Sequence, residues 1–144
     1  MIQGINHLTF SVSNLETSIA FYQQALDATL LVKGRNMAYL DLAGLWLALN
    51  EEKNIPRQQN PATYTHIAFT VSEAEIANYR KKFQQLNVHV LKGRTRDPRD
   101  KQSIYFTDPD GHLLELHTGT LKDRIDYYKQ EKQHMEFFNC ADPQ

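Results

Sequence analysis

The chain has 144 residues, 41% of them hydrophobic and 23% charged, with a formal net charge of −1. That balance fits an ordinary globular domain and gives no electrostatic reason to expect a nucleic acid or an anionic membrane as partner. The single cysteine, Cys140, excludes an internal disulfide framework and points to a reducing compartment, the cytoplasm. No basic stretch leading into an apolar run opens the chain, and no segment approaches the roughly 18 apolar residues of a membrane span.

Residues 5–12 alternate, with Leu8, Phe10 and Val12 on one strand face and His7, Thr9 and Ser11 on the other. Leu15, Ile19, Tyr22 and Leu26 follow at helical spacing. Short strands are predicted at Thr29–Val32, Met37–Leu42 and Leu45–Asn50, the last two joined at Ala43-Gly44. Residues 51–63, polar and with two prolines, read as a linker. The second half predicts a strand over Tyr64–Val71, a helix along Ile76, Tyr79, Phe83 and Leu86, and a strand over Val88–Leu91. Ser103–Thr107 and His112–His117 form a hairpin through Asp108-Pro109-Asp110-Gly111, where Pro presets φ and Gly accepts a positive one. Thr120 caps a last helix along Leu121, Ile125 and Tyr128.

One segment is written twice. His7-Leu8-Thr9-Phe10-Ser11-Val12-Ser13 recurs as His66-Ile67-Ala68-Phe69-Thr70-Val71-Ser72, a shift of 59 residues from 7 to 66. Each copy ends in Ser-x-x-Glu, Ser13 to Glu16 and Ser72 to Glu75, a signature for a helix start. The plan is therefore an α+β fold of tandem βαβββ modules. It forms one domain over residues 4–119, with modules of about 4–50 and 64–119, then a helix and extension over 120–138 and a tail over 139–144. Small modules bury too little surface alone, so they should pack together or across a dimer.

The repeat places one histidine at the same point of each module. Glu115 sits mid-strand in Leu113-Leu114-Glu115-Leu116-His117, where an uncompensated carboxylate is costly to bury. Two histidines, His7 and His66, with that carboxylate suit a divalent metal that keeps positions open for substrate. His89, His112, His117 and His134 lack the symmetric placement and read as surface or supporting residues. Aligning the turn glycines Gly44 and Gly111 sets Ala48 opposite Glu115, so the first module supplies no fourth ligand. If the leucines of its strand face the core, Trp46, Ala48 and Asn50 face the cleft.

With these residues the chain resembles the vicinal oxygen chelate superfamily, and within it the FosB-type metallothiol transferases. The resemblance is carried by Gly4-Ile5-Asn6-His7, Leu49-Asn50-Glu51-Glu52 through Arg57, and Tyr64-Thr65-His66-Ile67-Ala68-Phe69. It continues through Lys92-Gly93-Arg94 to Arg99-Asp100, Ser103 through His112, His117 through Leu121, and Tyr127-Tyr128. It implies mixed sheets curling around a metal cleft, Mg²⁺ or Mn²⁺ on His7, His66 and Glu115, and conjugation of a thiol to fosfomycin. By that resemblance Glu115 also exchanges a proton and Thr9 donates a hydrogen bond to the oxirane oxygen, at a position where several relatives carry cysteine. It further implies bacillithiol or L-cysteine as cosubstrate, and a homodimer in which His7 of one subunit meets His66 and Glu115 of the other.

The remaining residues suit a phosphonate. Arg94 and Arg124, with Tyr39, Tyr64, Tyr105, Trp46 and Asn50, offer guanidinium, phenol and amide donors near the predicted cleft. Three other readings stay open. A glyoxalase-type isomerase would want a fourth ligand where Ala48 stands, and an extradiol dioxygenase would use the same ligands with iron. A drug-sequestering protein would keep the fold and dispense with the metal.

Overall fold

The duplicated plan is written in the strand pairing. The computed structural model describes residues 1–57, 63–93 and 97–138. The first module runs β1 (His7–Val12), α1 (Leu15–Leu26), β2 (Thr29–Lys33), β3 (Met37–Leu42) and β4 (Leu45–Glu51). The second runs β5 (Ile67–Thr70), α2 (Glu73–Gln85), β6 (His89–Val90), β7 (Ser103–Thr107) and β8 (Leu113–His117), and α3 (Leu121–Glu131) follows. Among the described residues the strands form two four-stranded sheets, in the matching orders β1-β4-β3-β2 and β5-β8-β7-β6. In each, the first strand pairs in parallel with the last and the other pairings are antiparallel.

Alternation then decides what each sheet buries. Val12, Leu40, Leu47 and Leu49 pack under Leu15, Ile19 and Tyr22 of α1. Ile104, Phe106, Leu114 and Leu116 pack with Ile76 and Phe83 of α2 in the same core. The opposite sheet faces carry the polar residues.

Local chemistry shifts several boundaries from those the sequence predicts. Asn14, not Ser13, caps α1: its side chain accepts from Thr17 N at 2.9 Å. The Ser13 amide instead donates to both carboxylate oxygens of Asp110, each at 3.0 Å. Ser72 and Thr120 cap α2 and α3 as expected, the latter in a full capping box with Asp123. β5 starts at Ile67 rather than Tyr64, because Thr65 N turns to the Thr63 hydroxyl and the His66 ring turns to the Tyr64 carbonyl. β6 shrinks to two residues because the Val88 amide closes the end of α2 on the Phe83 carbonyl. Between β6 and β7, where the sequence predicts no element, Pro98–Asp100 form a 3-10 turn that Asp97 caps by accepting from Arg99 N.

The modules are joined at the β7–β8 turn. Asp108, buried, accepts from the Tyr22 hydroxyl at 2.9 Å, from His112 Nδ1 at 2.8 Å, and from the amides of Asp110 and His112. The His112 ring stacks on Phe10 with centroids 4.5 Å apart. Arg57 donates to the carbonyls of Ser11 and Glu52, tying the start of the linker to β1.

Candidate metal centre

β8 presents Glu115 to the polar face of the second sheet, between Ala68 of β5 and Tyr105 of β7 in register. The residue is only 5% exposed. His66, one residue before β5, brings Nε2 to 2.8 Å from Glu115 Oε2. Its Nδ1 lies 2.6 Å from the Tyr64 carbonyl, which can only accept, so Nδ1 carries a proton and Nε2 is the nitrogen turned to the carboxylate. An imidazole nitrogen and a carboxylate oxygen this close share a cation, a proton or a metal ion. Two ligands on adjacent vertices of an octahedral ion, each about 2.1 Å from it, sit about 3 Å apart. The donor set fits a divalent metal.

The first sheet carries the matching half. Register places His7 beside Trp46, Thr9 beside Ala48 and Ser11 beside Asn50, with Tyr39 beside Ala48 on the other side. These residues therefore share one face, as the alternation predicts. His7 Nδ1 meets Asn6 Oδ1 at 2.7 Å, leaving Nε2 as the lone-pair nitrogen. Trp46 lies against His7, the rings tilted by 37° with centroids 4.7 Å apart, and Tyr39 meets Trp46 edge-on at 5.0 Å. Among the described residues of one chain, no three His, Cys, Asp or Glu side chains gather as a metal site. His7 and the His66–Glu115 pair lie on different sheets.

The predicted pocket residues divide. The Tyr64 and Tyr105 hydroxyls bond each other at 2.7 Å, and both rings meet His66 edge-on. Arg124 is paired with the Asp100 carboxylate, donates also to the Asp100 carbonyl at 3.2 Å, and lies over the Tyr128 ring. Arg94 lies outside the described residues, as do Arg96 and Cys140. A cavity of about 1100 Å³ between α1 and the second module, lined by Phe21, Gln24, His89 and Pro109 among others, holds none of the candidate residues. They sit instead on the polar sheet faces.

His117, read from the sequence as a surface or supporting residue rather than a ligand, stands on the Glu115 face of β8, its Nδ1 3.7 Å from Glu115 Oε1. The two-residue spacing on an alternating strand was the available signal. Asp100, the partner of Arg124, had no local signal because the pair spans 24 residues.

Residues 4–116 match the Glyoxalase/Bleomycin resistance protein/Dioxygenase superfamily. Metallothiol transferase FosB of Lysinibacillus sphaericus is 64% identical over 96% of this chain and 98% of its own. FosB of Staphylococcus saprophyticus is 59% identical over 96% and 91%. The chain belongs to this superfamily, in its FosB branch. Among solved structures, the fosfomycin resistance protein FosX of Listeria monocytogenes superposes with a TM-score of 0.79 at 34% identity, over 89% of this chain and 99% of that one, in a complex with Mn(II) and sulfate. A mutant of that FosX, holding Mn(II) and 1S,2S-dihydroxypropylphosphonic acid, matches with a TM-score of 0.78 at 32% identity, over 88% and 99%. The tandem βαβββ architecture expected from the repeat is thus the superfamily fold. Among the described residues no helix is long and apolar enough to cross a membrane.

Proposed function

We propose that this chain is a metal-dependent thiol transferase that opens the epoxide of fosfomycin with a small thiol and so inactivates the antibiotic. The observation that carries the reading is the 2.8 Å approach of His66 Nε2 to a buried Glu115 carboxylate in a chain of the FosB branch. His66 and Glu115, with His7 from a second copy, hold one divalent cation, Mn²⁺ or Mg²⁺. A cation bound there supplies Lewis-acid polarisation to an oxygen-rich substrate.

The chain's own residues position and protonate. Arg124, Arg94 and the Tyr64–Tyr105 hydroxyl pair supply donors for the phosphonate, with Trp46, Tyr39 and Asn50 closing the other side. Thr9 donates its hydroxyl proton in a hydrogen bond to the oxirane oxygen. As the thiolate sulfur attacks carbon, an S–C bond forms and a C–O bond breaks. The freed oxygen takes a proton, which balances the one the thiol gave up on becoming a thiolate, and Glu115 is the carboxylate placed to exchange it. Cys140 lies in the tail, so the sulfur comes from a soluble cosubstrate, bacillithiol or L-cysteine, held reduced in the cytoplasm. A homodimer whose sites combine His7 of one copy with His66 and Glu115 of the other is part of this reading, and it is supported by the placement of His7 on the opposite sheet.

Incubation with Mn²⁺, fosfomycin and equal concentrations of bacillithiol, L-cysteine and glutathione tests the reading by mass spectrometry. A bacillithiol adduct should predominate, with cysteine slower and glutathione poor. A predominant glutathione adduct would reassign the thiol, and no adduct with any thiol would end the reading.

A further inference from the structure

We propose that His117 is the positioning residue for Glu115, fixing the carboxylate so that its other oxygen faces His66. This rests on the metal-centre reading above. The β8 strand sets the two side chains on one face, and β7 sets Tyr105 opposite Glu115 and Ser103 opposite His117. The carboxylate is thereby held between two imidazoles. Oε2 lies 2.8 Å from His66 Nε2, and Oε1 lies 3.7 Å from His117 Nδ1. The longer distance is no hydrogen bond. His117 acts there as a wall with a polarised edge, which opposes rotation of the carboxylate away from His66.

That wall is itself anchored. His117 Nδ1 donates to the Gln102 carbonyl at 3.1 Å and meets the Ser103 hydroxyl at 2.9 Å. The Gln102 backbone is pinned in turn, its amide on the Thr118 hydroxyl and its carbonyl receiving the Thr118 amide. Behind the ring stands Gly119. A Cβ added there would lie 2.7 Å from His117 Nε2 and 2.9 Å from Lys101 Cγ, so only glycine leaves the imidazole its place. Lys101 adopts φ 62° and ψ −174°, a region nearly reserved for glycine, immediately before the carbonyl that orients His117. A strained residue, a missing Cβ and two polar anchors all converge on one ring.

The repeat sharpens the point. Ser11 pairs with Asn50 as Thr70 pairs with His117, so the first module carries Asn50 at the His117 position and Ala48 at the Glu115 position. The imidazole occurs in the module that has a carboxylate to orient.

The test is a Mn²⁺ titration of the full chain, with free Mn²⁺ followed by EPR. His117→Ala should weaken binding about 10–100-fold, the usual effect of losing a group that orients a ligand. His117→Asn, whose side-chain amide can still donate to the Gln102 carbonyl, should recover most of that loss. Gly119→Ala should weaken binding by crowding the ring. Parent-like affinity in His117→Ala, alongside lost binding in Glu115→Gln, overturns the role of His117 and leaves the metal centre standing. Equal loss in His117→Ala and His117→Asn also overturns it, since a merely structural ring would show no rescue. Parent-like binding in Glu115→Gln removes the metal centre itself, and His117's role with it. If His117→Ala does not fold by circular dichroism, Gly119→Ala decides: weaker binding supports the proposal and parent-like binding overturns it.

Discussion

Ala48 and Glu115 occupy one position of the repeat. Thr9 pairs with Ala48 as Ala68 pairs with Glu115, and each has a tyrosine as its antiparallel neighbour, Tyr39 and Tyr105. The first module thus places a methyl group, 4% exposed, where the second carries a carboxylate. Ala48→Glu should bury a second carboxylate that only a cation can compensate. Metal-free stability should fall by about 1–3 kcal/mol, and Mn²⁺ should restore it. Adduct formation should drop on the order of 100-fold, because the new carboxylate occupies space meant for substrate. Turnover at the parent rate would show that this position does not face the reacting atoms.

The proposed sharing of sites between subunits has a direct consequence for mixtures. His7→Ala and Glu115→Gln should each be inactive alone. In a mixed dimer of the two, both defects fall in one site, and the other site is made of native residues throughout. Random exchange of subunits should then return about a quarter of parent activity. If each site were built within one chain, no mixture would recover any.

Trp46 is the single tryptophan of the chain and its ring lies against that of His7. Its emission should therefore report on the proposed metal centre. Saturable quenching by Mn²⁺ is expected, with the midpoint matching the EPR affinity, and it should vanish in His7→Ala. Quenching that persists in His7→Ala would place the bound Mn²⁺ elsewhere.

Much of this was legible in the sequence, for specific reasons. Met37–Leu42 runs into Ala43-Gly44 and Ser103–Thr107 into Asp108-Pro109-Asp110-Gly111, and both strands have the predicted bounds. The equivalence of His7 with His66, and of Ala48 with Glu115, followed from the repeat and is matched by the pairing registers. What escaped depended on competing side-chain bonds. Ser13 and Asn14 are both good caps, and the choice fell to Asn14 because Asp110, 97 residues away, takes the Ser13 amide. The Tyr64–His66 segment reads as strand, yet its own side chains satisfy its backbone. The Arg124–Asp100 pair and the His117 anchors are tertiary facts with no local pattern. His7 and Glu115 lie on different sheets, a relation that no local pattern carries.

Arg124, a predicted phosphonate donor, is held rather than loose. Its guanidinium is fixed by Asp100 and by the Tyr128 ring. A fixed guanidinium loses little entropy on meeting a phosphonate. Arg124→Ala should lower kcat/KM for fosfomycin about 10–100-fold, the equivalent of one charge-assisted bond of roughly 1.5–3 kcal/mol. Asp100→Asn should cost less, because the cation survives although its orientation loosens. Equal kinetics in Arg124→Ala and the parent would confine Arg124 to supporting the Asp97–Lys101 turn.

The joint between the modules should show itself at high pH. Tyr22 is fully buried with its hydroxyl on Asp108. Burial, and then the neighbouring Asp108 carboxylate, push its pKa well above the usual 10.0. The folded state therefore keeps a phenol proton that the unfolded chain releases. The stability tied to that proton is fully present below about pH 10 and is lost as pH rises from there toward the folded pKa. Tyr22→Phe removes a bond to a charged acceptor and leaves Asp108 short of one partner, at about 1.5–3 kcal/mol in neutral solution. Above pH 10 the parent should lose stability that the phenylalanine variant cannot lose, so the difference between them should narrow. Urea unfolding of both proteins near pH 7 and again near pH 10.5 measures it. A difference that stays constant or grows with pH would mean that the hydroxyl does not keep its proton in the folded joint.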